Sequence, residues 1–431
     1  MTPAARISAA IEVIADIETR RRPAADVLKD WGVSHRFAGS GDRAAIAGLV
    51  YDALRRRASS AWLMGEETAR AIVLGMLRLE RGRDAAAVGK LADGSRFAPA
   101  ALTDAEARAL AEGSLAGAPA HVAGDYPEWL DPYFARVFGE ARAEEAAALA
   151  RRAPLDLRVN ALKAARDDVA GELSHLKAKP TPWSPLGLRI VLGAEAKSPA
   201  VHAEPAFIKG KVEVQDEGSQ LAALFCAARA GETVIDLCAG AGGKTLALAA
   251  MMKNQGHIYA SDLDKRRLAP IHERLERASV RNTQVRTPRG QEDVLADLAG
   301  RADLVLIDSP CSGTGTWRRN PDAKWRMRPG ALEQRVKEQA EVLDRAATLV
   351  KPGGRLAYVT CSVLAEENGD QVRAFLARQA GWSTLAPDTA VLGAQADTFR
   401  RSVIAGDEGL QMTPRRTGTD GFYLSVMTRS G

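Results

Sequence analysis

Two of the four cysteines in this sequence sit where a nucleophile would be useful. Cys311 lies in "DSPCSGTG" (308–315), shortly after Asp308, and Cys361 lies in "VTCSVLAEEN" (359–368), directly after an apolar run and ahead of Glu366 and Glu367, two acids that read as the start of the next helix, where they suit its dipole. A free cysteine is usually a small buried apolar residue, so Cys361 taken alone favours packing. The other two, Cys226 and Cys238, complete no CxxC pair, and the six histidines form no ligand-like cluster. That spacing argues against a structural zinc site and against a disulfide framework, and no metal is expected. Reduced thiols leave packing or catalysis as the roles for cysteine.

A glycine-rich turn accompanies them. "VIDLCAGAGGKTLALAA" (234–250) runs from an apolar strand into a helix, a context in which backbone N–H groups can hold a polar or anionic ligand. Gly243, Lys244 and Thr245 supply the ending of a nucleotide P-loop, but the glycine required five residues before Gly243 is Cys238. The alternative is a nucleoside pocket, because "YASDLD" (259–264) places Asp262 about twenty residues beyond the turn, where a carboxylate can accept ribose hydroxyls. A turn residue or helix N-cap is the plainer role for an isolated aspartate there.

The elements that must position these groups are legible as pattern. Four apolar runs, "TVIDLC" (233–238), "HIYAS" (257–261), "LVLID" (304–308) and "RLAYVT" (355–360), are separated by helix-length segments. Before the last of them Leu332, Val336, Ala340, Leu343, Ala347 and Val350 keep the spacing of one buried helix face. Such alternation predicts an α/β domain with a mostly parallel sheet covered on both faces, whose ligands bind at the carboxyl ends of strands. Cys311, Cys361 and the glycine turn all follow predicted strands, so both thiols are expected over the ligand-binding edge. Packing alone gives core cysteines no reason to gather there.

Residues 1–125 read as helical, with Ile7, Ile11 and Ile14 on one stripe and Ile46, Leu49, Val50, Ala53 and Leu54 on another. The arginine runs "TRRR" (19–22) and "LRRRA" (54–58) fall at predicted helix ends, where cations complement the dipole or contact RNA. A Gly-, Ala- and Pro-rich stretch before "GDYPEWLDPYF" (124–134) marks a boundary. Residues 126–205 mix helix with strand-like "LDLRVNALK" (155–163) and "LGLRIVLG" (186–193), and 206–431 carry the strand–helix alternation. With 431 residues, 46% of them hydrophobic and 26% charged, the composition is that of a globular protein rather than a disordered or fibrous one. No apolar run approaches the ~18 residues of a membrane span, and the amino-terminal residues lack the continuous apolar core of a signal peptide, so the expectation is cytoplasmic. The net charge of +5 is compatible with a polyanionic partner.

The ordered set "VQDEGSQ" (214–220), "DLCAGAGGK" (236–244), "DSPCSGTG" (308–315), "RRNPDAKW" (318–325), "TCSVLAEEN" (360–368) and "DGFY" (420–423) resembles the Sun/RsmB family of RNA cytosine-5 methyltransferases. The likeness spans about 126–428 and includes "LRVNALK" (157–163), which is similar to the family's RNA-binding signature. "SGDRAAIAGLVYDALRRR" (40–57) resembles the NusB-like domain of ribosomal members. The resemblance implies a Rossmann-like class I methyltransferase domain over 206–431, a small α+β RNA-binding segment over 126–205, and an all-α NusB-like domain over 1–125.

It further implies methyl transfer from S-adenosylmethionine to C5 of a cytosine in 16S ribosomal RNA. Cys361 would attack C6, Cys311 would assist product release, and Asp308 would meet both the cofactor side and the base edge. Cofactor contacts carry over as Cys238, Ala239, Gly240, Ala241, Gly242, Gly243, Lys244, Asp262 and Asp308, and RNA contacts as Arg158, Asn160 and Lys163. Lys244 and the basic loop with Arg318, Arg319 and Lys324 are candidates for favouring the thiolate. The expected partner is RNA, with no membrane and a monomeric chain. A transfer-RNA methyltransferase and a noncatalytic RNA-binding protein are the alternatives, the latter disfavoured by the presence of both cysteines. Two departures stand out. Ala241 replaces a proline usual in relatives, and the adenine-side acid has no clear counterpart in "VRTPRGQED" (285–293), where Glu292 or Asp293 substitutes after a shift or the contact is absent.

Overall fold

Apolar residues three and four apart wind the first part of the chain into helices, among them Pro3–Arg20, Ala24–Ser34, Ser40–Arg55, Arg57–Met64 and Ala69–Leu79. Ile7, Val13, Ile14 and Ile17 of the first bury against Ile46, Val50, Ile72 and Val73. Gly75 lets two helices touch, since a Cβ there would lie 2.8 Å from Ser60 Cα. The computed structural model describes residues 1–193, 197–290 and 292–431. It divides into two compact units: Met1–Ala153 with Leu192–Lys197 and Trp317–Arg328, and Pro154–Val191 with Ser198–Thr316 and Pro329–Gly431. These units cut the chain elsewhere than the expected segments 1–125, 126–205 and 206–431. The helices Asp131–Phe138 and Arg142–Ala150 join the first unit, as does the returning segment 317–328.

That segment carries the basic loop, and its Trp317, Lys324 and Trp325 side chains are spent inside the first unit. Trp317 is buried and stacks on Phe134 with ring centroids 5.7 Å apart. Trp325 Nε1 donates to Leu54 O at 2.7 Å, and the buried Lys324 ammonium donates to Arg55 O at 3.2 Å and to Asp125 O. Burial depresses the Lys324 pKa to about 7 against the opposing pull of Asp125. Lys324, a candidate for favouring the thiolate, is thus committed to backbone carbonyls of the first unit. The arginine run at the end of Ser40–Arg55 is likewise paired: Arg55 with Asp52 at 2.9 Å, Arg56 with Glu80 at 2.8 Å and Arg57 with Glu18 at 2.9 Å.

The second unit holds two sheets. Strands β1 (Leu155–Val159), β2 (Lys179–Pro180), β3 (Gly187–Ile190) and β4 (Val212–Val214) form a small antiparallel sheet in the order β2-β3-β1-β4. The larger sheet contains β5 (Thr233–Asp236), β6 (His257–Ser261), β7 (Thr283–Arg286), β8 (Ala302–Asp308), β9 (Val350–Thr360), β10 (Trp382–Leu385), β11 (Ile404–Gly406), β12 (Gly409–Met412) and β13 (Phe422–Arg429). Its order is β11-β12-β13-β9-β8-β5-β6-β7, with β10 also pairing β13. β5 to β9 are mutually parallel and the remainder antiparallel. Every apolar run expected as a strand forms one.

Period-two alternation builds the core on both faces. Leu304, Leu306, Ala357 and Val359 enter one cluster with Leu221, Phe225 and Leu248, whereas Val305, Ile307, Leu356 and Tyr358 enter the other with Leu343, Ala347 and Phe375. The helix Pro329–Leu349 follows the predicted spacing, but Val350 begins β9 instead of ending the helix. Among the described residues no helix is long and apolar enough to cross a membrane. Trp317→Ala should destabilise the first unit by about 3–5 kcal/mol, the cost of a large buried aromatic cavity, measured as a lower urea midpoint.

Candidate active site

The site is assembled at the carboxyl ends of β5, β6, β8 and β9. β5 ends in Asp236, and the turn that follows needs glycine twice: Gly240 has φ 49° and Gly242 φ 82°. A Cβ on Gly242 would also lie 2.5 Å from Ile271 Cγ1. Asp262, just past β6, ties the turn down: its Oδ2 accepts from Gly240 N and its Oδ1 from Asp264 N, both at 2.9 Å. Ala239 N donates to Ser261 O at 2.8 Å. The helix Gly243–Met251 then starts with its first-turn N–H groups free of helical partners.

The residues that made the turn look like a P-loop are committed to carboxylates instead. Thr245 Oγ1 donates to Asp236 Oδ2 at 2.7 Å, and Lys244 Nζ lies 2.7 Å from Asp308 Oδ2 and 5.2 Å from the centre of the Phe422 ring. Burial works to lower the Lys244 pKa, but Asp308, aided by Cys361, raises it overall, so the buried ammonium stays charged. Burial lifts Asp236 to about 7, and its second carboxylate oxygen is buried without a partner. The orphaned Asp236 acceptor, a turn with no room for a side chain at Gly242, the unpaired first-turn N–H groups of the helix and Asp262 together fit a polar nucleoside cofactor.

β8 and β9 are parallel neighbours, with Asp308 beside Val359. Their following loops bring Cys311 Sγ to 3.3 Å from Cys361 Sγ. The hydrogen bond to Cys361, followed by burial, holds the Cys311 thiol well above its usual pKa, so Cys311 keeps its proton. Burial, reinforced by the Asp236 and Asp308 carboxylates, pushes Cys226 up to about 12 and Cys238 higher still, so neither is a ready nucleophile. The two cysteines singled out by sequence are thus brought together, with the Asp308–Lys244 pair at the same strand ends.

Other expectations are corrected. Arg158 and Asn160 were read as RNA contacts, yet both are buried and bonded to backbone. Arg158 Nη2 donates to Gly243 O at 3.3 Å, and burial lowers its pKa to about 10. Asn160 Nδ2 donates to Gly210 O at 3.0 Å and Ala278 O at 2.9 Å. Lys163 is exposed, with its ammonium on Lys209 O at 2.9 Å and Arg277 O at 2.7 Å. The small sheet therefore buttresses the glycine turn: Glu213 of β4 pairs with Arg274 at 3.0 Å, and Arg274 donates to Ala241 O at 2.7 Å. Asp293, one of the two candidates for the adenine-side acid, is engaged by Arg345 at 2.9 Å, which lowers its pKa. Sequence reading also underrated Glu367, which it assigned to the start of the next helix. Glu367 instead closes a short turn, Ala365–Glu367, ahead of the helix Gly369–Arg378, and its carboxylate is fully buried. Only its unusual place in "TCSVLAEEN", six residues past Cys361, could have signalled it.

A mostly parallel sheet with a glycine turn after its first strand and an acid after its second is a Rossmann-like nucleoside-binding arrangement, shared with solved methyltransferases. Over residues 126–195 and 223–428 the chain matches the RsmB/F methyltransferase family. The family model for 16S rRNA methyltransferase RsmB/F matches residues 223–428, and that for the RsmF/B-like ferredoxin-like domain matches 126–195. Ribosomal RNA small subunit methyltransferase B of Salmonella typhi is 36% identical over 285 residues, 65% of this chain and 60% of that protein. The Salmonella newport protein of the same name is 35% identical over the same shares. The chain thus spans about 60% of the length of these curated relatives. The crystal structure of PH0851 superposes with a TM-score of 0.75 at 25% identity, covering 100% of this chain and 99% of that one. NSun6 from Pyrococcus horikoshii, solved with SFG, superposes with a TM-score of 0.61 at 22% identity, covering 71% and 98%.

Arg158→Ala should weaken S-adenosylmethionine binding about tenfold, the worth of one charged hydrogen bond to the turn, and change RNA affinity less than about twofold. Calorimetric titration with each ligand separates the two. A loss confined to RNA would restore Arg158 as an RNA contact.

Proposed function

We propose that this protein transfers a methyl group from S-adenosylmethionine to C5 of a cytosine in 16S ribosomal RNA through a covalent bond to Cys361. The observation that carries this reading is the 3.3 Å contact between Cys311 and Cys361 sulfurs at adjacent strand ends. The glycine turn 238–244 and Asp262 are the residues that would hold the cofactor, which supplies an electrophilic methyl group. The family match and the fold shared with NSun6, solved with an analogue of this cofactor, support that choice.

Cytosine C5 is too weak a nucleophile to act unaided. The Cys361 thiolate forms a bond to C6, and the electron pair of the C5–C6 double bond moves to C5, where it would bond to the methyl carbon as the methyl–sulfur bond breaks and a neutral thioether leaves. A base then takes the C5 proton, the pair returns to the ring, and the C6–sulfur bond breaks to release the thiolate. Lys244 is the buried cation at these strand ends that favours the thiolate, and it orients Asp308 toward the base edge. Cys311 assists release: while Cys361 is free, their hydrogen bond holds the Cys311 proton, and once Cys361 is bonded to carbon that restraint is gone. The target base must leave its stack, which favours loops or single strands.

Residues 1–125 act as a NusB-like module, which favours ribosomal over transfer RNA, and the reaction is cytoplasmic. The test is incubation with methyl-labelled cofactor and unmodified 16S or transfer RNA, followed by mapping of the product. Label at cytosine C5 of 16S RNA is expected, and cofactor binding with no incorporation into either RNA would overturn the enzyme assignment. In the same assay Cys311→Ala should accumulate a protein–RNA adduct and Cys361→Ala none. An adduct that survives in the second variant would reverse the roles.

A further inference from the structure

We propose that Glu367 is a positioning residue for this reaction, its buried carboxylate tying the Cys311 loop to the Cys361 loop so that the two sulfurs stay in contact. The inference rests on the reading of Cys361 as nucleophile and Cys311 as the releasing thiol. Glu367 Oε1 accepts from Ser312 N at 2.7 Å and from Gln339 Nε2 at 3.0 Å. Its Oε2 accepts from the hydroxyls of both Ser312 and Ser362, each at 2.5 Å. Ser312 and Ser362 are the residues immediately after the two cysteines. One carboxylate thus grips both loops at the position next to each sulfur.

The grip is itself held from behind. Tyr358 OH donates to Glu367 O at 2.6 Å, and Gln339, on the buried face of Pro329–Leu349, also donates to Pro310 O at 3.0 Å, just ahead of Cys311. Thr314 Oγ1 contacts Ser362 Oγ at 3.0 Å and accepts from Val363 N at 2.9 Å, adding a second link between the loops. Among the described residues no cation pairs with Glu367. A buried carboxylate without a cation is expensive, and a neutral side chain could staple two loops at lower cost. The charge has a use beyond stapling, because Glu367 is one of the groups that keep the neighbouring Cys311 thiol protonated.

Glu367→Gln exposes the role. With Oε1 still accepting from Ser312 N and Gln339, its amide N–H₂ would donate to the Ser312 and Ser362 hydroxyls, so two charge-assisted bonds become weaker neutral ones and the grip on the two loops loosens. With RNA and cofactor, kcat should fall about 10- to 100-fold, as for an ångström-scale misplacement of reacting groups, while both KM values move less than about twofold. The covalent adduct should accumulate, as for Cys311→Ala, because release needs the second sulfur in place. Phenylarsine oxide, which loses water as it forms bonds to two close thiols, should bind about tenfold more weakly to Glu367→Gln than to the unsubstituted protein. If Glu367→Gln fails to fold, Ser312→Ala removes one bond to the same carboxylate and should show the same pattern in smaller measure. Unchanged arsenical affinity, or a fall in activity carried by KM with no adduct, would overturn the proposal. The arsenical assay needs no RNA, so a failure of the unsubstituted protein to methylate cytosine would strike the proposed function and leave the placement of the sulfurs separately decided.

Discussion

Two thiols can share a proton across 3.3 Å only if the backbones that carry them are fixed to within a fraction of an ångström, and here that constraint is met by the parallel pairing of β8 and β9. The ladder sets Asp308 beside Val359, so that Cys311 and Cys361 each follow within a few residues of the same rung. Loops of that length have little freedom to diverge. The rest of the site is arranged around this edge: β5 adds the glycine turn, β6 adds Asp262, and Lys244 reaches from the helix after β5 to the carboxylate at the end of β8.

Holding polar loops above a hydrophobic sheet requires that their buried groups be satisfied. Ser312, Thr314 and Ser362 form one network with Glu367, while Asn368 Nδ2 bonds Ser362 O at 3.0 Å and Gln411 Oε1 at 2.8 Å. Gln411 in turn donates to Phe422 O at 3.0 Å, which links the site to β13. Such a network rigidifies when complete and costs several kcal/mol when broken, so it suits a site that must be preorganised. The small antiparallel sheet plays a comparable part on the other side, where Arg158 and the Glu213–Arg274 pair support the glycine turn from outside the larger sheet.

The strands, their parallel order and the clustering of Cys311, Cys361 and Asp308 were legible because apolar runs and glycine turns are local signals. Side-chain roles that depend on tertiary pairing were not. Arg158, Asn160 and Lys324 carry the chemistry of RNA contact in their types, but burial against carbonyl oxygens redirects each of them, and nothing in their neighbours along the chain announces it. Glu367 was misread for the converse reason. An acid ahead of a helix usually serves the helix dipole, whereas its partners Ser312 and Gln339 lie tens of residues away in sequence. The segment 317–328 was read with the catalytic motifs around it, although its aromatic residues pack into the first unit.

The central claim is that Cys361, not Cys311, bonds to the cytosine ring. Replacing the target cytosine by 5-fluorocytosine tests it most directly, because fluorine at C5 cannot be removed as a proton and the bonded intermediate persists. After incubation of the unsubstituted protein with cofactor and fluorocytidine-containing 16S RNA, digestion and mass spectrometry should find a Cys361 peptide carrying one methylated fluorocytidine nucleotide. The same mass on the Cys311 peptide, or RNA methylation with no covalent product on either peptide, would contradict the account.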